Sequence, residues 1–274
     1  MGFLLWGADL ANTLEVLAQY KPAAAWFFAP RALPDMVTWT RRVREATQGA
    51  TKIWIQVGNV ENAVEVVREC RPDVLVVQGS DAGGHGLEKG AGIVSLFPEV
   101  ADALDAEFGS GDGGLPLLVA AGGVSEGRGV AASVVLGAAG VVMGTRYLAA
   151  HEANLSKGYR EEVLRAADGG QTTVRSGVYD ILRGTIDWPP GYGGRGVVNQ
   201  SYHDAIAGMD TDENRRLYAE AMKSGDAGWG VKGRMTTYAG TGIGLVKKAM
   251  SAREITEEVR NDANKILSRA GDRP

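Results

Sequence analysis

Short β-branched runs alternate with amphipathic helical patterns through the first half of the chain. That alternation confines it to repeated βα units around a parallel sheet, an α/β fold. Gly2 to Trp6 is a predicted strand. Leu10, Leu14, Leu17 and Ala18 follow at the spacing of one helix face, and Asp9 stands where an N-cap belongs. Ala24 to Phe28 is the next strand, before a helix over Asp35 to Thr47 that ends ahead of Gly49. Lys52 to Val57 is a strand, Asn59 caps a helix carrying Val60, Ala63, Val64 and Val67, and Val74 to Gln78 is the fourth strand. Leu115 to Ala120 and Gly140 to Met143 bring the strands to six. Helices near Pro98 to Phe108 and Gly127 to Leu136 precede these two, and Gly109 to Gly114 reads as a turn. A closed barrel of such units needs eight strands.

After Thr145 the pattern changes. Helices near Tyr147 to Ala153 and Tyr159 to Ala167 lead into a stretch rich in Gly, Pro, Tyr and Trp from Gly169 to Gly233. It is too long for one structureless loop, so an inserted lid or small domain with its own elements is expected. Tyr179, Trp188, Tyr192, Tyr202 and Trp229 are expected to form the insert's own small core, with a lid over a ligand as the alternative. The chain closes with Thr236 to Ala239, the turn Gly240 to Gly244 and a helical tail through Leu267. The expected organisation is a barrel portion at 1–150 that carries the ligand site, an inserted lid or substrate region at 151–235, and a closing turn and helix at 236–274.

A chain of 274 residues with net charge −4 has ample material for a core and no basic surface for nucleic acid. Its basic clusters are short, as in Arg41-Arg42 and Lys247-Lys248. Cys70 is the single cysteine, so no internal disulfide forms, and at the end of an apolar helical pattern it reads as a buried thiol. No basic leader precedes an apolar stretch, and no run approaches the roughly 18 apolar residues of a membrane helix. A cytoplasmic protein with no membrane partner is expected. The sequence leaves the oligomeric state open, a homo-oligomer included.

The chemistry concentrates in Val76 to Gly86, where an apolar strand ends in a glycine-rich turn that presents His85. Glycines let the backbone approach a flat or anionic ligand, and imidazole transfers protons near neutral pH. Gln78 ends the strand with an amide that both donates and accepts, suited to the edge of a polar ring system. Two more glycine loops follow successive strands, Gly122-Gly123 and Gly144-Thr145. Bare amides there, with the Thr145 hydroxyl and a helix N-terminus, can bind phosphate without a lysine; each loop taken alone reads better as a tight turn, and it is the two on adjacent strands that point to a phosphorylated cofactor. No second His, Cys or paired carboxylate stands at ligand spacing, so no metal is expected. His151 and His203 read as structural. Gly240 to Gly244 only faintly matches a dinucleotide fingerprint, because its spacing is wrong and no acidic residue follows at a second strand end. Tyr238, just before it, faces either core or ligand.

Taken together, these motifs resemble the nitronate monooxygenase family, FMN enzymes on a TIM-barrel fold. The segment Gln78 to Gly86 is similar to the family's glutamine and glycine-rich histidine motif. Ala120 to Thr145 is similar to its second long motif, and Tyr238 to Val259 to its closing segment. The resemblance implies that His85 is the catalytic base and that Gln78 and Gly83 contact the flavin. It further implies that Gly122, Gly123, Val142, Met143, Gly144 and Thr145 hold the FMN phosphate and ribityl chain. The implied reaction oxidises an alkyl nitronate with O2 to a carbonyl compound and nitrite, His85 first deprotonating any neutral nitroalkane. The family begins with two further strands, so this chain is expected to start at the third strand of the barrel. The alternatives are an FMN-dependent NAD(P)H reductase of the same superfamily, acting on an enoyl or quinone substrate, and a truncated, non-catalytic accessory protein.

Overall fold

The structure, a computed structural model, describes residues 1–109 and 114–271. The turn expected at Gly109 to Gly114 lies largely outside them. The first half forms β1 (Gly2–Leu4), α1 (Leu10–Tyr20), β2 (Ala24–Phe28), α2 (Leu33–Thr47), β3 (Lys52–Val57), α3 (Val60–Cys70) and β4 (Val74–Gln78). It continues through β5 (Gly84–Leu87), α4 (Ile93–Phe108), β6 (Leu117–Ala121), α5 (Gly127–Val135) and β7 (Gly140–Val142). The capping residues act as their positions require: Asp9 accepts from the Asn12 amide at 2.8 Å and Asn59 from the Asn62 amide at 2.7 Å.

Six of these strands form one all-parallel sheet in the order β1-β2-β3-β4-β6-β7. Because side chains alternate along a strand, the sheet separates two apolar layers. Ala25, Phe27, Ile53, Ile55, Leu75 and Val77 point outward and are buried against Leu17, Met36, Val43, Phe97 and Leu104 of the flanking helices. Trp26, Trp54, Val74, Val76, Val119, Ala121 and Val142 form the opposite layer. Trp26 and Trp54 are register partners, their rings 5.6 Å apart. Burial on both faces is why β4 reads as the continuous run Val74 to Val77 and not as an alternating pattern.

Register then decides what stands at the carboxyl end of the sheet. Gln78 pairs with Ala121, and Ala121 with Val142, so these three side chains form one row.

The rest of the chain is α6 (Lys157–Arg165), α7 (Gly169–Thr172), β8 (Thr173–Ser176), α8 (Val178–Arg183), β9 (Tyr192–Val197), α9 (Gln200–Ile206), α10 (Thr211–Lys223) and α11 (Ala252–Gly271). The helix expected near Tyr147 to Ala153 is a short 3-10 turn over Thr145–Ala149. A second three-stranded antiparallel sheet, β5-β9-β8, joins the two halves of the chain. Thus β5, which carries His85, is an edge strand here and not part of an open turn. A run such as Tyr192-Gly193-Gly194-Arg195-Gly196-Val197 has too little side chain to read as a strand, yet its glycines admit rings. A Cβ on Gly194 would lie 2.6 Å from the Tyr238 ring, and one on Gly196 3.1 Å from that of Tyr179.

Among the described residues no helix is long and apolar enough to cross a membrane, and no three His, Cys, Asp or Glu side chains are grouped to hold a metal ion. Ile55 is fully buried in the outer layer, so Ile55→Ala is expected to lower unfolding free energy by about 2–5 kcal/mol in urea titration. Val94→Ala, at a residue 72% exposed, should stay within about 0.5 kcal/mol of the parent.

Candidate active site

Four loops meet beyond the carboxyl ends of β4, β6 and β7, tied by hydrogen bonds and by close backbone crossings. The Gly240 amide donates to Thr145 Oγ1 at 2.9 Å, the Thr241 amide to the Asp81 carbonyl at 3.0 Å, and Thr241 Oγ1 to Asp81 Oδ1 at 2.7 Å. A Cβ on Gly83 would lie 2.4 Å from the Ala239-Gly240 backbone, one on Gly240 2.4 Å from the Asp81 carbonyl, and one on Gly242 2.6 Å from the Gly123 carbonyl. No side chain fits at these crossings, which is the physical reason for the glycines of the closing turn. That turn continues as a 3-10 segment over Thr241–Leu245.

Between these loops lies an open cleft with a cavity of about 280 Å³. Gln78, Ala121 and Val142 form its floor, and Gly83, Gly122, Gly123, Gly144, Thr145 and Tyr238 stand around it. Gly122 and Gly123 take φ of +104° and +79°, a region that favours glycine. Gly144 differs, since its φ is −98° and, its chain neighbours aside, no atom of the described residues lies within 4 Å of where its Cβ would be. Neither backbone conformation nor packing demands glycine there. Among the described residues the amides of Gly123 and Gly144 donate to no acceptor, so both remain available to an anion. Thr145 Oγ1 accepts from Gly240 and keeps its own hydrogen to donate. Met143 is the one predicted cofactor residue whose side chain leaves the cleft, packing instead near Val130, Ile255 and Val259.

His85 sits beside this cleft, next in sequence to the lining residue Gly84. Gln78 Nε2 donates to the His85 carbonyl at 3.2 Å. The imidazole stacks on Trp188 with ring centroids 3.7 Å apart and planes 6° from parallel, and Tyr238 lies 5.2 Å away on a tilted plane. Nε2 is 2.9 Å from both carboxylate oxygens of Asp180, on α8. Tyr238 Oη and Thr185 Oγ1 each donate to Asp180 Oδ1 at 3.0 Å. Burial acts to raise the Asp180 pKa, but the contacts with His85, Tyr238 and Thr185 outweigh it and hold the carboxyl below its ordinary range. Burial and the Asp180 charge both push the Tyr238 phenol upward, so it stays protonated and donates.

The aromatic residues of the insert divide between two tasks. Tyr179 is fully buried, its ring 6.5 Å from that of Tyr202, and Trp229 lies 6.2 Å from Tyr159. Trp188 and Tyr192 leave the insert and cover strand ends, Trp188 against Trp6 and His85 and Tyr192 against Phe28. Asp180 and Thr185 escaped the sequence reading, because nothing local marks them, and Trp188, expected in the insert's own core, stacks on His85 instead. Only the pairing of β9 with β5 brings their segment to His85.

Arg175 braces the loop. Its Nη1 donates to the Gly84 and Gly193 carbonyls at 3.0 and 2.6 Å, and its Nη2 to those of Ser80 and Ala82 at 3.3 and 2.7 Å. Burial, followed by the nearby Arg195 charge, draws its pKa down to about 10, which leaves it charged at neutral pH.

The nitronate monooxygenase family profile matches residues 10–262. The chain belongs to the nitronate monooxygenase family. This is an oxidoreductase family, flavin-dependent in general. Nitronate monooxygenase npaC of Metarhizium robertsii is 45% identical over 271 residues, covering 98% of this chain and 74% of that protein. Nitronate monooxygenase of Neurospora crassa is 38% identical over 265 residues, covering 94% and 68%. Among solved structures, FabK from Thermotoga maritima matches with TM-score 0.72 at 21% identity, covering 99% of this chain and 77% of its own. Nitroalkane oxidase from Streptomyces ansochromogenes matches with TM-score 0.71 at 21% identity, covering 95% and 69%. These two likenesses establish a shared fold.

Removing the brace exposes the dependence of the loop on it. Arg175→Ala is expected to cost about 3 kcal/mol in urea denaturation, since hydrogen bonds from a charged donor to buried carbonyls are lost. Arg175→Lys should recover little, because an ammonium cannot address four carbonyls as a planar guanidinium does. A lysine variant as stable as the parent rules out the four-carbonyl brace.

Proposed function

We propose that the cleft binds FMN and that the protein oxidises alkyl nitronates with O2 to a carbonyl compound and nitrite. The observation that carries this reading is the His85 imidazole, held 2.9 Å from Asp180, beside a glycine-lined cleft where the Gly123 and Gly144 amides are unpaired among the described residues. Membership of the nitronate monooxygenase family supports the substrate class. The parallel sheet is read as six strands of a (β/α) barrel, with 1–150 as the cofactor-bearing portion, 151–235 as the insert and 236–274 as the closing segment. Catalysis at the carboxyl end of the strands agrees with where barrels and open α/β sheets place their sites.

The residues present fit the cofactor. The free amides of Gly123 and Gly144, with the Thr145 hydroxyl, offer donors to a phosphate, and the empty space at Gly144 admits it. Gly122, Val142 and the backbone of Met143 continue that wall and would hold the ribityl chain, while Gln78 and Gly83 would contact the ring system. Bound there, FMN would supply the redox chemistry, a two-electron acceptor for the substrate with O2 as the final oxidant. For a neutral nitroalkane, His85 removes the acidic α-proton and leaves the carbon's electron pair delocalised into the nitro group as the nitronate. Trp188 and Tyr238 close around the imidazole and limit water at the proton-transfer step.

The purified chain is expected to be yellow, or to take up added FMN, and to consume O2 with a nitronate in the absence of NAD(P)H. Turnover that requires NAD(P)H overturns the monooxygenase reading, and a colourless protein that binds no FMN overturns the cofactor. His85→Asn should reduce turnover of neutral nitroalkanes by about 10² or more and keep FMN affinity. Gly144→Ala makes the complementary test. Its Cβ meets no non-neighbouring atom of the described residues, so stability should hold within about 0.5 kcal/mol while FMN affinity, measured by flavin fluorescence, falls.

A further inference from the structure

We propose that Asp180 is the positioning residue for His85: it fixes the imidazole in the tautomer protonated at Nε2, which makes Nδ1 the basic atom. This rests on the reading of His85 as the base and names the atom and the partner that make it one.

The assignment follows from counting protons around one carboxylate. Asp180 receives hydrogen bonds from Tyr238 Oη and Thr185 Oγ1 at Oδ1, and both of its oxygens lie 2.9 Å from His85 Nε2. Its side chain is 9% exposed and that of His85 13%, so water competes little for these contacts. An ionised carboxylate accepts and cannot donate. The hydrogen between Asp180 and His85 therefore belongs to Nε2. In a neutral imidazole with hydrogen on Nε2, the lone pair is on Nδ1.

Two further observations agree. Among the described residues Nδ1 has no hydrogen-bond partner, and it is not among the buried polar atoms left unpaired, so solvent or a ligand reaches it. The ring is also held against rotation, stacked on Trp188 with planes 6° apart and flanked by Tyr238 at 5.2 Å. Turning the ring over would exchange the Nε2 contact to the carboxylate for a carbon. The absence of a side chain at Gly194 gives Tyr238 its place in this arrangement.

The proton balance of the step is then complete. The α-proton of a nitroalkane passes to Nδ1, and the C–H electron pair remains on the substrate as the nitronate. The imidazolium formed carries hydrogen on both nitrogens, its Nε2 already bonded to the Asp180 anion. Asp180 thus orients the base beforehand and opposes the charge that develops, without touching the substrate.

The test reads the tautomer directly. The full chain loaded with FMN and labelled with 15N-histidine has three histidines, so the His85 signals are those lost in His85→Gln. At a pH where the ring is neutral, the expected spectrum shows a protonated Nε2 and an unprotonated Nδ1. In Asp180→Asn the hydrogen should spread over both nitrogens. The same variant should lower kcat for a neutral nitroalkane by on the order of 10², with KM changed less than about threefold and a smaller loss on preformed nitronate. Hydrogen on Nδ1 in the unsubstituted protein overturns the proposal, as does a tautomer that Asp180→Asn leaves unmoved. If that variant fails to fold, the spectrum of the unsubstituted protein decides alone. The expected tautomer in a protein that turns over no nitroalkane overturns the base reading and leaves the tautomer assignment standing.

Discussion

Parallel pairing of six strands is the constraint from which the rest of this molecule follows. Parallel strands require a crossover after each one, so every connection back to the amino end is a helix and every strand-to-helix loop emerges at the same end. Helices on one face bury Phe27, Ile53, Ile55 and Leu75, and the other face is filled by Trp26, Trp54 and the valines of β4 and β6. With both faces committed, the candidate site forms at the carboxyl end, where the strand-to-helix loops gather. There the register sets Gln78, Ala121 and Val142 side by side.

A floor of side chains does not make a pocket unless the loops above it hold a shape. Here they are held by close backbone crossings at Gly83, Gly240 and Gly242 and by Arg175, which gathers four carbonyls with one guanidinium. A charged group is costly to bury, and its hydrogen bonds to carbonyls offset that cost only where all of them are made. The loop that carries His85 is therefore built from the second sheet as much as from the first. Its side chain faces Asp180 and Trp188 because β5 pairs with β9, which puts His85 opposite Gly194.

Much of the fold was legible in the sequence, and for a reason that can be stated. Strands β2, β3 and β4 fall where the apolar runs Ala24 to Phe28, Lys52 to Val57 and Val74 to Gln78 predict, because buried parallel strands need such runs. Asp9 and Asn59 cap the helices they precede, a contact made within three residues. The glycine loops at 122–123 and 144–145 line the cleft with Gln78 and Gly83. Three strands escaped. Glycine-rich β5 and β9 carry almost no hydrophobic pattern, and β8 is four residues long, so their identity lies in pairing and not in composition.

By itself the sequence determined the order of βα units, the end of the sheet where chemistry collects, and the family to which the chain belongs. Each of these is written in local periodicity or in a contiguous motif. Only the tertiary structure decided which groups surround His85. Asp180 lies 95 residues further along the chain and Tyr238 another 58 beyond Asp180, and no local pattern encodes a contact made across such distances. The physical reason is that strand propensity and helix spacing act over a few residues. A carboxylate that fixes a tautomer acts through space, after two sheets have paired.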